Sequence, residues 1–251
     1  MKPKAARRKK SLAVRLRPFW IVLTLLLVAA AAAGYYLASW PGFYPKYVTV
    51  AGNEVVPAAE IRRRAAISPH QNVWLQNLGA AAARIEGIPY IATARLFRIP
   101  PAGVRIFVTE RHPYAVVADG TRRVLVDRRL RVLQSAPPAN DLPVFVLPGK
   151  RILVDGTFLR GRRDERMRKD YAQLVAGHVI VTRLWFGHFG GLVAALRGGV
   201  DVLFGNDDDL QKKIPLVDPI LSQLGRGGRA IRVIDLRAAT TPVVEYRSRP
   251  K

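Results

Sequence analysis

The sequence has no cysteine. That excludes disulfides, a CxxC redox pair, a thiol nucleophile, cysteine-ligated zinc and a lipid-modified cysteine anchor. Acids are scarce too: 18 Asp and Glu stand against 41 Lys and Arg, and none precedes Glu54. The signatures of chemistry are missing as well. His70, His112, His178 and His188 form no HExxH or other close metal pair, and there is no GxSxG or SxxK nucleophile. Gly225-Arg226-Gly227-Gly228 has no Lys-Ser/Thr after it, so it is not a phosphate loop. Asp207-Asp208-Asp209 lacks the alternating ligands and glycine of a calcium loop and reads as the acidic first turn of a helix. The expectation is a binding scaffold with no catalytic residue, metal, cofactor or small-molecule substrate.

What is present is apolar and basic. Of 251 residues 49% are hydrophobic, which argues for folded structure, and the formal net charge is +23. Residues 1–17 hold eight cations (Lys2, Lys4, Arg7, Arg8, Lys9, Lys10, Arg15, Arg17) and no acid, while residues 18–45 carry no charge. Residues 19–40 form an unbroken apolar run. As a helix it would reach roughly 33 Å, about one hydrocarbon core. Phe19 and Trp20 at one end, and Tyr35, Tyr36 and Trp40 at the other, suit the two interfaces. A cleaved signal peptide would have an apolar region of about 7–15 residues. The length therefore favours an uncleaved membrane helix over 18–41, although Ala29 to Ala33 before Gly34 also suits cleavage. The positive-inside rule puts the basic tail, residues 1–17, in the cytoplasm and the rest on the far side. Topology and attraction to membrane lipid account for this tail without nucleic acid.

Beyond the run, residues 47–52 read as a strand and 57–66 as a helix, with Pro57 in its first turn and Glu60 near its positive end. Asn77 is a cap for a second helix, on which Leu78, Ala82 and Ile85 share a face before Gly87. Strands over 90–98 and 103–110 follow, turned by Pro100-Pro101. The order β-α-α-β-β makes a small α+β module. Short strands are expected over 114–118, 122–127, 130–134 and 143–147. An amphipathic helix over 164–176 would use Met167, Tyr171, Leu174 and Val175, and strands resume over 183–186, 192–196 and 200–204. Pro215 and Pro219 predict a kink or a late start in the helix that Asn206 opens. Strands over 231–236 and 242–246 end the chain.

Certain residues in this order resemble the FtsQ/DivIB family of bacterial division proteins. They are Val50-x-Gly52, Glu60-Ile61, Ala94-Arg95-Leu96 and Arg98-Ile99-Pro100. Val104-x-Ile106-x-Val108-x-Glu110-Arg111-x-Pro113, Val126-Asp127, Leu142-Pro143, Gly199 to Gly205 and Ile234-Asp235-Leu236-Arg237 continue the series. The departures are Pro101-Ala102-Gly103, Arg128-Arg129 where a turn glycine is expected, and Pro215 and Pro219. The resemblance implies an α+β fold with a single transmembrane helix, a POTRA-like module over 45–112 and a mixed β domain with flanking helices over 113–251. It also implies a non-catalytic divisome scaffold in septation, held in the cell (inner) membrane, whose partners are FtsB/FtsL-like proteins. A terminal strand at a sheet edge would add a partner strand. Val243, Val244, Glu245 and Tyr246 are its contact candidates, with Tyr246 as anchor and Thr240 and Thr241 adjoining. Arg62, Arg63 and Arg64 form a basic helix face. Two alternatives compete with this reading: a POTRA protein handling polypeptides in export or outer-membrane assembly, and a membrane-tethered cell-wall hydrolase.

Overall fold

The computed structural model describes residues 12–247 apart from 121, 139, 148, 150–152, 207, 208 and 226–229. Most of the basic tail, Asp207-Asp208 and Arg226-Gly227-Gly228 therefore lie outside the described residues. Two compact units are formed. One takes in the residues up to Asn53 with 57–84 and 94–108; the other takes in 54–56, 85–93 and 109–251.

Helix α1 (Leu12–Ser39) contains the apolar run, and its 18–39 portion has a mean hydropathy of 2.2 with no buried side chain. It is long and apolar enough to cross a bilayer. After a short 3-10 turn come β1 (Tyr47–Ala51), α2 (Ala58–Ala65), α3 (Leu78–Glu86), β2 (Ile91–Ile99) and β3 (Gly103–Glu110). Their three strands lie in the order β1-β3-β2, with β1 parallel to β3 from Tyr47 opposite Gly103 to Ala51 opposite Phe107. On β3 the buried Val104, Ile106 and Val108 alternate with exposed Arg105, Phe107 and Thr109, as a sheet with one face toward a core requires.

Pro57 precedes the first turn of α2, whose Ile61 and Ala65 are buried while Arg62, Arg63 and Arg64 face outward. Asn77 caps α3 as expected, its Oδ1 accepting from the Ala80 N–H at 2.9 Å. The buried stripe on α3 is Leu78, Ala81 and Ile85, so Ala81 rather than the expected Ala82 faces inward. Gly52 ends β1 at φ +83°, and a Cβ there would lie 2.2 Å from the Val108 carbonyl oxygen. Both the left-handed backbone and the close approach demand glycine.

The second unit holds the other strands and helices. These are β4 (Ala115–Ala118), β5 (Arg123–Val126), β6 (Val132–Ser135), β7 (Val144–Val146), α4 (Arg162–Ala176), β8 (Val181–Phe186), β9 (Leu192–Leu196), β10 (Asp201–Gly205), α5 (Leu210–Lys213), α6 (Val217–Gly225), β11 (Ile231–Asp235) and β12 (Val243–Tyr246). Among the described residues they make one mixed nine-stranded sheet, β12-β11-β10-β9-β8-β7-β4-β5-β6. Every residue of β9, an interior strand, is buried. One core joins Ala115, Val117, Phe145, Leu184, Ala194, Val202, Phe204 and Ile234 of the strands to Met167 and Leu174 of α4, Leu210 of α5 and Val217 of α6.

Helix α4 begins two residues before its expected start, because Asp164 reaches back to the Gly161 N–H at 2.9 Å. Its inward stripe is Met167, Asp170 and Leu174, flanked by Tyr171, which stacks edge-on with Phe145 and Tyr114 at 5.1 Å each. Val175 is 47% exposed, off the face it was expected to share. The helix after Asn206 is broken as Pro215 predicts: α5 passes into a 3-10 turn, Ile214–Leu216, before α6. Asp209 sits at the N-cap of α5 and pairs with Lys212 at 2.8 Å, so it is not part of an acidic first turn.

Glu110 and Arg111 are structural ties. The Glu110 carboxylate accepts from the Val55 and Val56 N–H groups at 2.8 and 2.9 Å. Arg111 donates to Asp127 at 2.8 Å and to the Ile91 carbonyl at 3.2 Å. Asp127 also accepts from the Arg129 and Arg131 N–H groups at 2.8 and 2.9 Å, fixing the turn between β5 and β6. The left-handed residue of that turn is Leu130 (φ +57°), which is why neither Arg128 nor Arg129 has to be glycine.

Gly52→Ala is expected to destabilise the protein by about 2 kcal/mol or more, since left-handed strain and a backbone clash add. Asp127→Ala, which strands a largely buried guanidinium and two N–H groups, is expected to lower stability by about 3 kcal/mol. Urea unfolding of the detergent-solubilised chain measures both, and a loss under about 0.5 kcal/mol, the range of neutral surface changes, would contradict either.

Candidate functional site

The contact candidates of the sequence lie on and just before β12. This strand is antiparallel to β11, with Val243 opposite Asp235, Val244 opposite Ile234, and Tyr246 opposite Ile231 past a register shift. Val244 packs against the main core, while Val243 is 54% exposed. Glu245 forms an ion pair with Arg232 of β11, and Tyr246 is 37% exposed. Thr240 and Thr241 occupy the exposed turn entering the strand, where the Thr241 N–H donates to the Ala238 carbonyl at 3.3 Å. Past the strand, the Arg247 N–H donates to the Ala230 carbonyl at 2.8 Å, and the Arg247 guanidinium reaches the Gly199 carbonyl at 2.8 Å.

β12 is an outermost strand, paired with β11 on one side only among the described residues. The other outermost strand, β6, is partly covered. Val132 exchanges hydrogen bonds with Thr157 and Gly156 at 2.8 Å each, and Arg131 bridges to Phe158. Unpaired N–H and C=O groups along an edge are a template for another strand.

At one end of the larger sheet, where β9 begins and β10 and β11 end, the structure assembles residues that sequence reasoning missed. A cavity of about 350 Å³ is lined by Phe189, Gly191, Gly205, Asn206, Asp209, Lys213 and Arg237. Phe189, in the turn between β8 and β9, is 92% exposed. Its only sequence signal was a large apolar residue in the polar and glycine-rich stretch His188-Phe189-Gly190-Gly191. Lys213 is buried and donates to the Phe204 carbonyl at 2.7 Å, a pairing no spacing rule reveals. Arg237 grips Asp235 through both carboxylate oxygens. The Arg237 guanidinium beside it holds the Asp235 carboxyl below the usual carboxylate range. Among the described residues no group of three His, Asp or Glu is placed to hold a metal ion.

An apolar N-terminal helix, a β-α-α-β-β module and a mixed sheet with an open edge define a POTRA protein carrying one candidate membrane span. Comparison with known proteins makes the assignment finer. The profile described as "POTRA domain, FtsQ-type" matches residues 43–111. The chain is 27% identical over 245 residues to a cell division protein FtsQ of Chloroflexus aurantiacus, covering 92% of this chain and 84% of that protein. The corresponding FtsQ of Myxococcus fulvus is 25% identical over 226 residues, 87% and 78% of the two chains. That of Mycolicibacterium smegmatis is 33% identical over 92 residues, 37% and 28%. The chain carries a POTRA domain of the FtsQ type and is similar over most of its length to FtsQ proteins of bacterial cell division.

Because the folded Asp235 pKa is depressed, its contribution to stability is complete above the unfolded carboxylate value of about 3.9 and is lost as pH falls through the lower folded value. Thermal melts from pH 6 down to pH 2 are expected to show Asp235→Asn less stable at the upper end and converging with the parent at the lower. Parallel curves would contradict the clamp.

Proposed function

We propose that the chain is a single-pass anchor whose larger part lies outside the cytoplasm and recruits other divisome components without catalysis. FtsB/FtsL-like proteins are the proposed partners, one of them adding a strand along β12. The eight cations ahead of α1 support a cytoplasmic N-terminus. The observation that carries the reading is the position of β12 at a sheet edge with no strand on its far side among the described residues. Main-chain hydrogen bonds to that edge would supply affinity, and alternate side chains would supply selection.

Val243 and Glu245 project to one face of the strand, Val244 and Tyr246 to the other. Val244 is committed to the core, while Val243 is 54% exposed and Tyr246 37%. Tyr246, with an apolar ring and a polar tip, is the anchor, and Thr240 and Thr241 adjoin it.

Tyr246→Asp is expected to reduce capture of an FtsB/FtsL-like partner at least about tenfold with an unchanged melting curve, while Tyr246→Phe retains most of it. Crosslinked pull-down from membranes measures the capture. Undiminished capture by a folded Tyr246→Asp variant would refute the edge.

A further inference from the structure

The segment between α2 and α3 inverts the usual placement of side chains. Two of its amides are buried beside Val73, while two of its largest apolar groups are outside. Asn72 is 5% exposed and Gln76 7%, whereas Trp74 is 46% exposed and Leu75 61%. The segment is also tied down. Gln76 accepts from the Ser68 N–H at 2.9 Å and donates to the Ser68 and Gln71 carbonyls at 2.9 and 2.8 Å. Arg98, from β2, donates to the Val73 and Gln76 carbonyls at 2.9 and 2.7 Å, with its guanidinium 6.0 Å from the centre of the Trp74 ring. The Trp74 N–H donates to Asn72 Oδ1 at 2.9 Å. Trp74 and Leu75 thus protrude from a segment fixed by buried hydrogen bonds. In water that arrangement forgoes the burial of two large apolar groups, and exposed apolar surface of this kind marks an interaction site.

Asn72 indicates what lies outside. Its Nδ2 donates to the Leu37 and Ala38 carbonyls at 3.4 and 3.2 Å, in the last turn of α1, and the next residue's N–H donates to the Phe43 carbonyl at 2.9 Å. The last carbonyls of a helix have no partner within it, and Asn72 supplies one. Leu37 lies roughly 27 Å along the helix from Phe19, close to the boundary of a hydrocarbon core about 30 Å thick. Asn72 is therefore held at the level of the lipid headgroups. Trp74 and Leu75 follow within two and three residues, no more than about 11 Å away. Tyr35, Tyr36 and Trp40, at the same end of α1, are 76%, 70% and 47% exposed, as an aromatic interfacial belt is.

We propose that Trp74 and Leu75 insert into the headgroup–acyl boundary of the bilayer that α1 spans. The 67–77 segment then becomes a second membrane contact of the first unit, and the helix and the segment together fix the unit's tilt on the membrane. This rests on α1 being a membrane span.

The absence of native cysteine allows a clean test. Ala30→Cys, Leu75→Cys and Ser222→Cys, at exposed positions in the span, the segment and α6, each carry one polarity-sensitive dye. The full chain is reconstituted in nanodiscs of phosphatidylcholine and phosphatidylglycerol, with spin-labelled lipids and aqueous iodide as quenchers. The label at 75 is expected to be blue-shifted relative to that at 222, quenched by shallow lipid labels, and several-fold less sensitive to iodide. The label at 30 is expected to be quenched by deep lipid labels. A label at 75 that behaves like the one at 222, while the one at 30 is lipid-quenched, overturns the docking alone. A blue shift at 75 without lipid quenching means that protein covers the site and overturns it too. Loss of lipid quenching at 30 overturns the span, and the docking with it.

Discussion

The larger sheet is held by one repeated interaction, the backbone hydrogen bond between neighbouring strands, and that interaction has to stop at two places. At β6 it is continued by a loop, since Val132 meets Gly156 and Thr157 where a further strand would lie. At β12 nothing continues it among the described residues. The two ends differ because of what each strand can still bury. β6 ends in exposed Gln134 and Ser135, whereas β12 already commits Val244 to the core and keeps Val243 outside. Under the proposed strand addition, an edge fixed by its own packing would lower the ordering cost that a partner strand otherwise meets.

That edge depends on the geometry behind it. β10 and β11 run parallel, so the chain must cross between them, and the kinked α5, 3-10 turn and α6 make the crossing. Ile214 packs into the core from the middle of this crossing, and its Cγ2 occupies the space beside Gly177 that a Cβ would need. Arg237 then closes the C-terminal end of β11 on Asp235. The kink at Pro215 thus lies within the crossing that leads to β11. A straight helix would carry Ile214 and Val217 along one continuous stripe, without the tighter 3-10 turn between them.

Most strand positions were legible because alternation of apolar residues leaves little choice of face, as on β3, and because turn residues bound them. Helix contents were read less well. Ala81 and Ala82 are equivalent in composition, and only the packing of α3 decides which one turns inward. Val175 was assigned to the core by spacing, yet Asp170 takes a buried position on α4 that apolar counting cannot foresee. The turn after Val126-Asp127 was read as wanting glycine, and the structure puts the left-handed residue at Leu130 instead, held by Asp127. The last strand itself was legible from the apolar residues that follow Pro242. Phe189, Arg237 and the buried amides Asn72 and Gln76 were not, since they come together only through tertiary structure.

The excess of cations poses a packing problem that the structure answers with aromatic rings. With 41 Lys and Arg against 18 acids, the cations outnumber the carboxylates they could pair with by more than two to one. Several guanidinium groups lie over rings: Arg98 over Trp74, Arg128 over Tyr114, Arg131 and Arg160 over Phe158, Arg183 over Trp185, and Arg166, which also pairs with Asp170, over Phe186. Each such contact contributes about 0.5–1 kcal/mol at an exposed site and keeps the ring's face from water, while the guanidinium edge stays hydrated. Lysine, a compact charge on a flexible stem, can sit over a ring but does not stack a plane against it as arginine does. The preference for arginine through this part of the chain therefore follows from the same shortage of acids with which the sequence opens. It lets a strongly basic exterior retain half-buried aromatics such as Tyr114, where burial pushes the phenol pKa up against the opposing pull of Arg128 and Arg168.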